Sequence, residues 1–299
     1  MTEAPARRPL AAALTTDESR ELAERHGLRS LNQRPPLGRY IADVWRRRSF
    51  LWTLSSAESY AKNEANHLGQ VWAILNPAVL IGSYFLIFGL LLSTRGGVDN
   101  FIAFLSIGVV MFGFTSSVIT RGAKAITGRL GIVRALHFPR AILPMSVALT
   151  EFLATVPAFG LLFALMLLTG ERPDWEWLLF PVAVIIQGVT LLGFAFIAAR
   201  LVNASQDMAN LIPVVVRLLR YVSGVFFPVA HYVAGAPPVI QAVLTLQPFA
   251  LMLTIVRQSL LGSEPVVLSD WLIMTGWAVV IAGVGLIYFW RAETRYGRG

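Results

Sequence analysis

Apolar runs close to 20 residues long recur along this chain of 299 residues, and they restrict its fold more than any other feature. A run of that length, wound as a helix rising about 1.5 Å per residue, crosses a hydrocarbon core of roughly 30 Å. A backbone in lipid must satisfy its own hydrogen bonds, so the spans are helices. Six are expected, at roughly 70–93, 101–120, 144–168, 178–199, 211–230 and 268–290. Trp72, Trp175, Trp177, Trp271 and Trp290 fall at span ends, where amphipathic rings meet the headgroups. Charged residues make up 14% of the chain and apolar ones 56%, too little charge to cover a soluble domain of this size.

The segments outside the spans divide the chain. Residues 1–37 are polar and charged, and read as a cytoplasmic tail with no apolar leader. Residues 38–69 form an amphipathic interface helix and an entry segment. Ile41, Val44, Trp45 and Trp52 share one face there, around Arg46, Arg47 and Arg48. Residues 70–299 hold the six-span domain. Residues 237–262 are long enough to cross, but Gln247-Pro248 breaks them into halves too short to do so. They are expected to form a re-entrant pair of half-helices on the outer side, between spans five and six. The expected fold is therefore all-α and integral to the membrane.

Basic residues set the orientation. Arg121, Lys124, Arg129, Arg134 and Arg140 follow span two, Arg200 follows span four, and Arg291, Arg295 and Arg298 follow span six. The alternate connections hold Arg95, Arg172 and Arg257 only. By the positive-inside rule both termini are expected in the cytoplasm. The net charge of +8 is explained by lipid and topology rather than by nucleic acid.

No catalytic constellation is visible. The four histidines are scattered, and the chain has no cysteine for a thiolate metal site. No phosphate-binding loop of the G-x-x-x-x-G-K-[ST] type occurs, so no bound cofactor is expected. The informative polar residues lie inside spans. Glu151 and Arg217 are expected at similar depth, near 10 Å by helical rise, with Arg220 one turn deeper. Two readings stand: a buried Glu151–Arg217 pair, and arginines facing a wet path toward an anionic substrate. Arg217, Arg220, Tyr221 and Gly224 follow an i, i+3, i+4, i+7 spacing, and Tyr84, Phe85 and Phe88 make a second stripe in span one. Aromatic faces can stack on sugar rings, and they also simply pack.

Two stretches carry a family likeness. Leu68-Gly69-Gln70-Val71-Trp72 through Pro77 resembles the entry motif of permeases in ABC type-2 polysaccharide exporters, the O-antigen and teichoic-acid group. Phe138-Pro139-Arg140 through Leu143-Pro144 resembles the element before span three in the same group. Gln247-Pro248 through Arg257 is similar to its outer re-entrant region, with Gln247 in place of the usual Asn. The likeness covers roughly residues 40–290. It implies a homodimer joined by two separate ATPase subunits, which bind the ATP and Mg. It implies that the connection holding Arg134, Phe138, Pro139 and Arg140 receives their motion. It also implies that spans one and five line a channel for a lipid-linked glycan carried on a pyrophosphate. Among such exporters the chain resembles those that export galactan for cell walls. A small-molecule exporter of the same architecture, a membrane-embedded glycosyl- or acyltransferase and a proton-coupled carrier using Glu151 remain as other classes.

Overall fold

The computed structural model describes residues 25, 35–64, 69–92, 97–136 and 138–296. Leu68 of the entry motif and almost all of the 1–37 tail lie outside the described residues. Pro36–Gly299 is one compact unit, and Met1–Pro35 is counted apart from it. The described residues of the larger unit are all-helical. Five helices are long and apolar enough to cross a membrane, or six spans result if one bent helix pair is counted as a single crossing.

Two amphipathic helices, α1 (Leu37–Arg46) and α2 (Arg48–Glu64), open the larger unit and are interrupted at Arg47. One interface helix was expected there. Trp45 and Trp52 are exposed, as anchors in the interface would be. α2 does more than lie on lipid: Ser55 Oγ donates to the Ser146 carbonyl at 3.2 Å, and Thr150 Oγ1 donates to the Ser55 carbonyl at 3.3 Å. The helix is thereby bound to the third span.

Span one is α3 (Trp72–Tyr84), continued by a π-helical stretch, Phe85–Leu91. Only 11% of its apolar window is buried in the chain, against 78% for span two, α4 (Phe101–Ala123). Span two is thus the centre of the bundle and span one its periphery. Asn100 caps α4 by accepting from the Ala103 N–H at 3.1 Å. A short helix α5 (Leu130–Ala135) precedes span three, α6 (Ile142–Leu168). A 3₁₀ turn at Trp175–Leu179 leads into span four, α7 (Phe180–Ala204).

The helix expected as span five is shorter than the hydropathy indicated and is not one of the five long enough to cross. α8 (Met208–Val222) has 15 residues and ends before Gly224, whose φ of 77° takes the chain out of the helix. At about 1.5 Å per residue it reaches about 22 Å, short of a full crossing. Residues 223–226 are buried as irregular backbone, which membrane depth tolerates only when protein covers it. Gly224 is therefore off the helical stripe expected to include it. Next come a one-turn helix α9 (Val229–Tyr232), then α10 (Pro238–Thr245) and α11 (Pro248–Leu260), bent by 68°. The bend falls where Gln247-Pro248 was expected to break the segment. Gln247 Nε2 donates to the Val222 carbonyl at 3.1 Å, and Pro248 opens α11 where its missing N–H is harmless.

The last span, α12 (Leu268–Trp290), packs closely on α7. A Cβ at Gly193 would overlap the Ile281 carbonyl, and one at Gly285 would overlap the Gly193 carbonyl. Small residues let the two backbones touch, which supplies packing where lipid offers no hydrophobic drive.

Candidate functional site

Polar side chains cluster at several places among the described residues, and the first cluster joins α3 to α8. Arg220 Nη1 donates to Tyr84 Oη at 3.2 Å, and its guanidinium lies 5.5 Å from the centre of the Phe112 ring. Around this contact Phe226 gathers three rings: Phe88 stacked at 4.6 Å, Tyr84 edge-on at 4.8 Å and Tyr221 at 5.5 Å. The two stripes read separately from the sequence thus meet on one face. Phe85 turns aside toward Phe101 at 6.4 Å. Arg220 Nε is buried with no hydrogen-bond partner among the described residues, so its guanidinium is incompletely satisfied. Phe226 was missed because it lies past the end of α8, where helical spacing no longer applies.

Arg217 is separate from this group. It is exposed on the chain surface, and no ion pair or hydrogen bond joins it among the described residues. The expected Glu151–Arg217 pair is therefore not formed. Glu151, 2% exposed, instead receives Lys62 Nζ at 2.7 Å and Arg121 Nε at 3.3 Å. Because α2 packs on α6, Lys62 reaches the carboxylate from the side. A second pair lies beside it: Arg129 Nη2 meets Glu58 Oε2 at 2.5 Å while its Nη1 donates to Ser146 Oγ at 2.9 Å. Trp72 and Pro77 of the entry motif adjoin this network, since they line a cavity with Lys62 and Glu151.

The third site is the element before span three. Phe138 packs edge-on against Phe50 at 6.0 Å, bringing that element onto α2. Arg140 donates its N–H to Glu293 Oε1 at 2.9 Å and Nη1 to the Glu293 carbonyl at 2.8 Å. Tyr40 donates its hydroxyl to Glu293 Oε2 at 2.8 Å and accepts from the Ala141 N–H at 3.0 Å. The first helix, the Phe138-Pro139-Arg140 element and the segment after the last span are thus tied at one buried carboxylate. Burial pushes the Glu293 carboxyl above its ordinary value, against the pull of the Arg140 N–H, the Tyr40 hydroxyl and the Arg140 charge. Burial likewise raises the Tyr40 phenol, with the Glu293 charge adding to it. Arg134 is exposed in the last turn of α5. Glu293 and Tyr40 were not singled out from sequence; each is one polar residue among many near the interface.

On the other side, Arg257 is buried on α11, donating Nη2 to the Gly224 carbonyl at 2.8 Å with its guanidinium over Phe104 at 3.4 Å. It binds the bent pair to the end of α8. Gln258 joins the same pair to the last span, donating to Asp270 at 2.8 Å and accepting from Trp271 Nε1 at 2.9 Å. Among the described residues no group of three or more His, Cys, Asp or Glu is placed to hold a metal ion.

Fold and polar sites together define a multi-span helical membrane protein with buried ion pairs between its helices and a broken helix pair before its last long helix. Its relatives refine this. The chain is 28% identical over 192 residues to the O-antigen export system permease protein RfbA of Myxococcus xanthus, covering 64% of this chain and 73% of that one. It is 23% identical over 265 residues to the O-antigen export system permease protein RfbA of Klebsiella pneumoniae, covering 86% and 95% of the two chains. A second Klebsiella pneumoniae protein of the same name is 22% identical over 251 residues, covering 82% and 93%. No protein-family model matches the chain.

Proposed function

We propose that this chain is the membrane-spanning permease subunit of an ABC exporter that moves a lipid-linked polysaccharide out of the bacterial cytoplasm. The observation that carries this reading is the distant likeness, over nearly the full length of both chains, to an O-antigen export permease. The hydrolysis of ATP belongs to two partner subunits, and the chain works as a homodimer in the inner membrane. Both termini are cytoplasmic, with α8 and its buried loop completing one passage and the bent pair re-entering from outside. This orientation gathers Lys62, Arg121, Lys124, Arg129 and Arg140 at the inner face.

In this reading the Arg220–Tyr84 face lines the entry of the glycan path. The arginine fork suits the pyrophosphate of the carrier lipid, and the rings of Tyr221, Phe88 and Phe226 suit the sugars behind it. Arg217, exposed on α8, faces the wet dimer path, because lipid contact there would be costly. Arg134, Phe138, Pro139 and Arg140 receive motion from the ATPase subunits, and the Glu293 junction passes it to the first helix and the last span. A galactan is the finer cargo assignment, and it rests on the likeness of the two motifs alone. Deleting the gene should leave the lipid-linked glycan accumulated on the cytoplasmic side, and the chain should co-purify with a P-loop ATPase. Normal export in the deletion strain refutes the reading.

A further inference from the structure

Two cavities meet where α2, α4 and α6 end on the basic side of the bundle. One, of about 590 Å³, is lined by four basic side chains, Lys62, Arg121, Lys124 and Arg129, and two carboxylates, Glu58 and Glu151. The other, of about 290 Å³, shares Lys62, Arg121 and Glu151 with the first. It runs on between α3, α4 and α6, past Trp72, Leu80, Val110, Phe114 and Ala158. A charged chamber thus opens into an apolar furrow.

The ion pairs do not use up the positive charge. Lys62 is held by Glu151 and Arg129 by Glu58. Arg121 spends only Nε on Glu151, at 3.3 Å, which leaves both terminal nitrogens of its fork without partners among the described residues. Lys124 is exposed, and no ion pair or hydrogen bond joins its side chain among the described residues. Two cations therefore remain in the chamber: Arg121, which also lines the furrow, and Lys124, which lines the larger cavity alone. That arrangement suits an amphiphile with an anionic head. A neutral-headed lipid would leave the charges unused, and a free phosphate would leave the furrow unused.

We propose that the joined cavity holds one anionic membrane phospholipid, with its phosphodiester at Arg121 and Lys124 and an acyl chain along the α3–α4–α6 furrow. The volume falls within the roughly 300–1,000 Å³ common for small-molecule sites. The two carboxylates facing the same chamber limit it to a singly charged phosphodiester and disfavour a pyrophosphate, whose extra negative charge they would repel. The site is thus separate from the Arg220 face assigned to the carrier lipid. Placing it in the inner leaflet, where anionic lipids are plentiful, rests on the orientation proposed above.

The test uses the purified full chain in mild detergent, so it reads binding without transport, and a failed export assay leaves it unaffected. Native mass spectrometry and thermal unfolding are run with phosphatidylglycerol, phosphatidylcholine, undecaprenyl pyrophosphate and inorganic phosphate in turn. Phosphatidylglycerol should bind one per chain and raise the unfolding temperature; the other three should not. One basic group near a lipid phosphate is worth about fivefold in affinity, so Lys124→Gln should weaken phosphatidylglycerol about fivefold and Lys124→Glu further. Ala158→Phe, which fills the furrow, should remove the bound lipid, and the exposed Lys124 keeps the test available if that variant does not fold. Equal binding of phosphatidylcholine, stabilisation by inorganic phosphate, preference for the pyrophosphate lipid, or an unchanged affinity in Lys124→Gln overturns the proposal.

Discussion

Replacing Glu151 by glutamine separates two accounts of what this carboxylate does. It is 2% exposed, with Lys62 Nζ at 2.7 Å and Arg121 Nε at 3.3 Å. Removing one partner of a fully buried pair costs about 3–5 kcal/mol, most of it from the charge left behind. Here the Lys62 side chain is 23% exposed and that of Arg121 57%, so water takes up part of the loss. The expected destabilisation of Glu151→Gln is roughly 2–3 kcal/mol on that basis. The decisive measurement is a double-mutant cycle on thermal unfolding in detergent. Glu151→Gln with Lys62→Met should show a coupling of about 1–2 kcal/mol, because the two side chains share one interaction. Glu151→Gln with Arg217→Gln should add within about 0.5 kcal/mol, as unconnected sites do. A Glu151–Arg217 coupling as large as the Glu151–Lys62 one refutes the reasoning and restores the pairing read from depth alone.

Gly285→Val places a branched side chain against the Gly193 carbonyl, so it should lower stability by about 3 kcal/mol, read as loss of folded protein in detergent, while Gly276→Val, where a Cβ meets nothing, should not. Glu293 gives a pH dependence of defined sign. Its folded-state carboxyl titrates above the ordinary 4.5, so stability from this group is greatest below that value and is lost as pH rises through the raised one. Unfolding scans should show that decline in the parent and a flatter profile in Glu293→Gln. Arg220→Lys keeps the charge but loses the fork that reaches Tyr84 at 3.2 Å, so export should fall about tenfold at unchanged protein level, and normal export would reduce the face to packing.

What could be read in advance follows the range of the forces involved. Hydrophobic length is local, so the five spans that run from Trp72 to Ala204 and from Leu268 to Trp290, and the break before Pro248, were legible. Span five was not, because hydropathy measures solvent preference and not backbone geometry. Val225, Phe226 and Phe227 continue the apolar run, yet the turn at Gly224 buries 223–226 against protein rather than extending the helix. The two stripes holding Tyr84 and Arg220 were legible, since each is a local spacing, while their common path came only from the family resemblance and Phe226 between them was not foreseen. Ion partners were the least legible. Glu151 and Arg217 matched in depth, but depth along separate helices leaves azimuth free. A residue 89 positions away, Lys62 on an amphipathic helix, took the carboxylate because α2 is fastened to α6 by Ser55 and Thr150. The same reasoning explains the Arg140 element. The family resemblance implied that it receives a partner's motion, and its side chain also holds Glu293 after the last span. A push on Phe138-Pro139-Arg140 therefore cannot stay local: displacing Arg140 exposes a buried carboxylate unless Tyr40 and the end of the last span move with it.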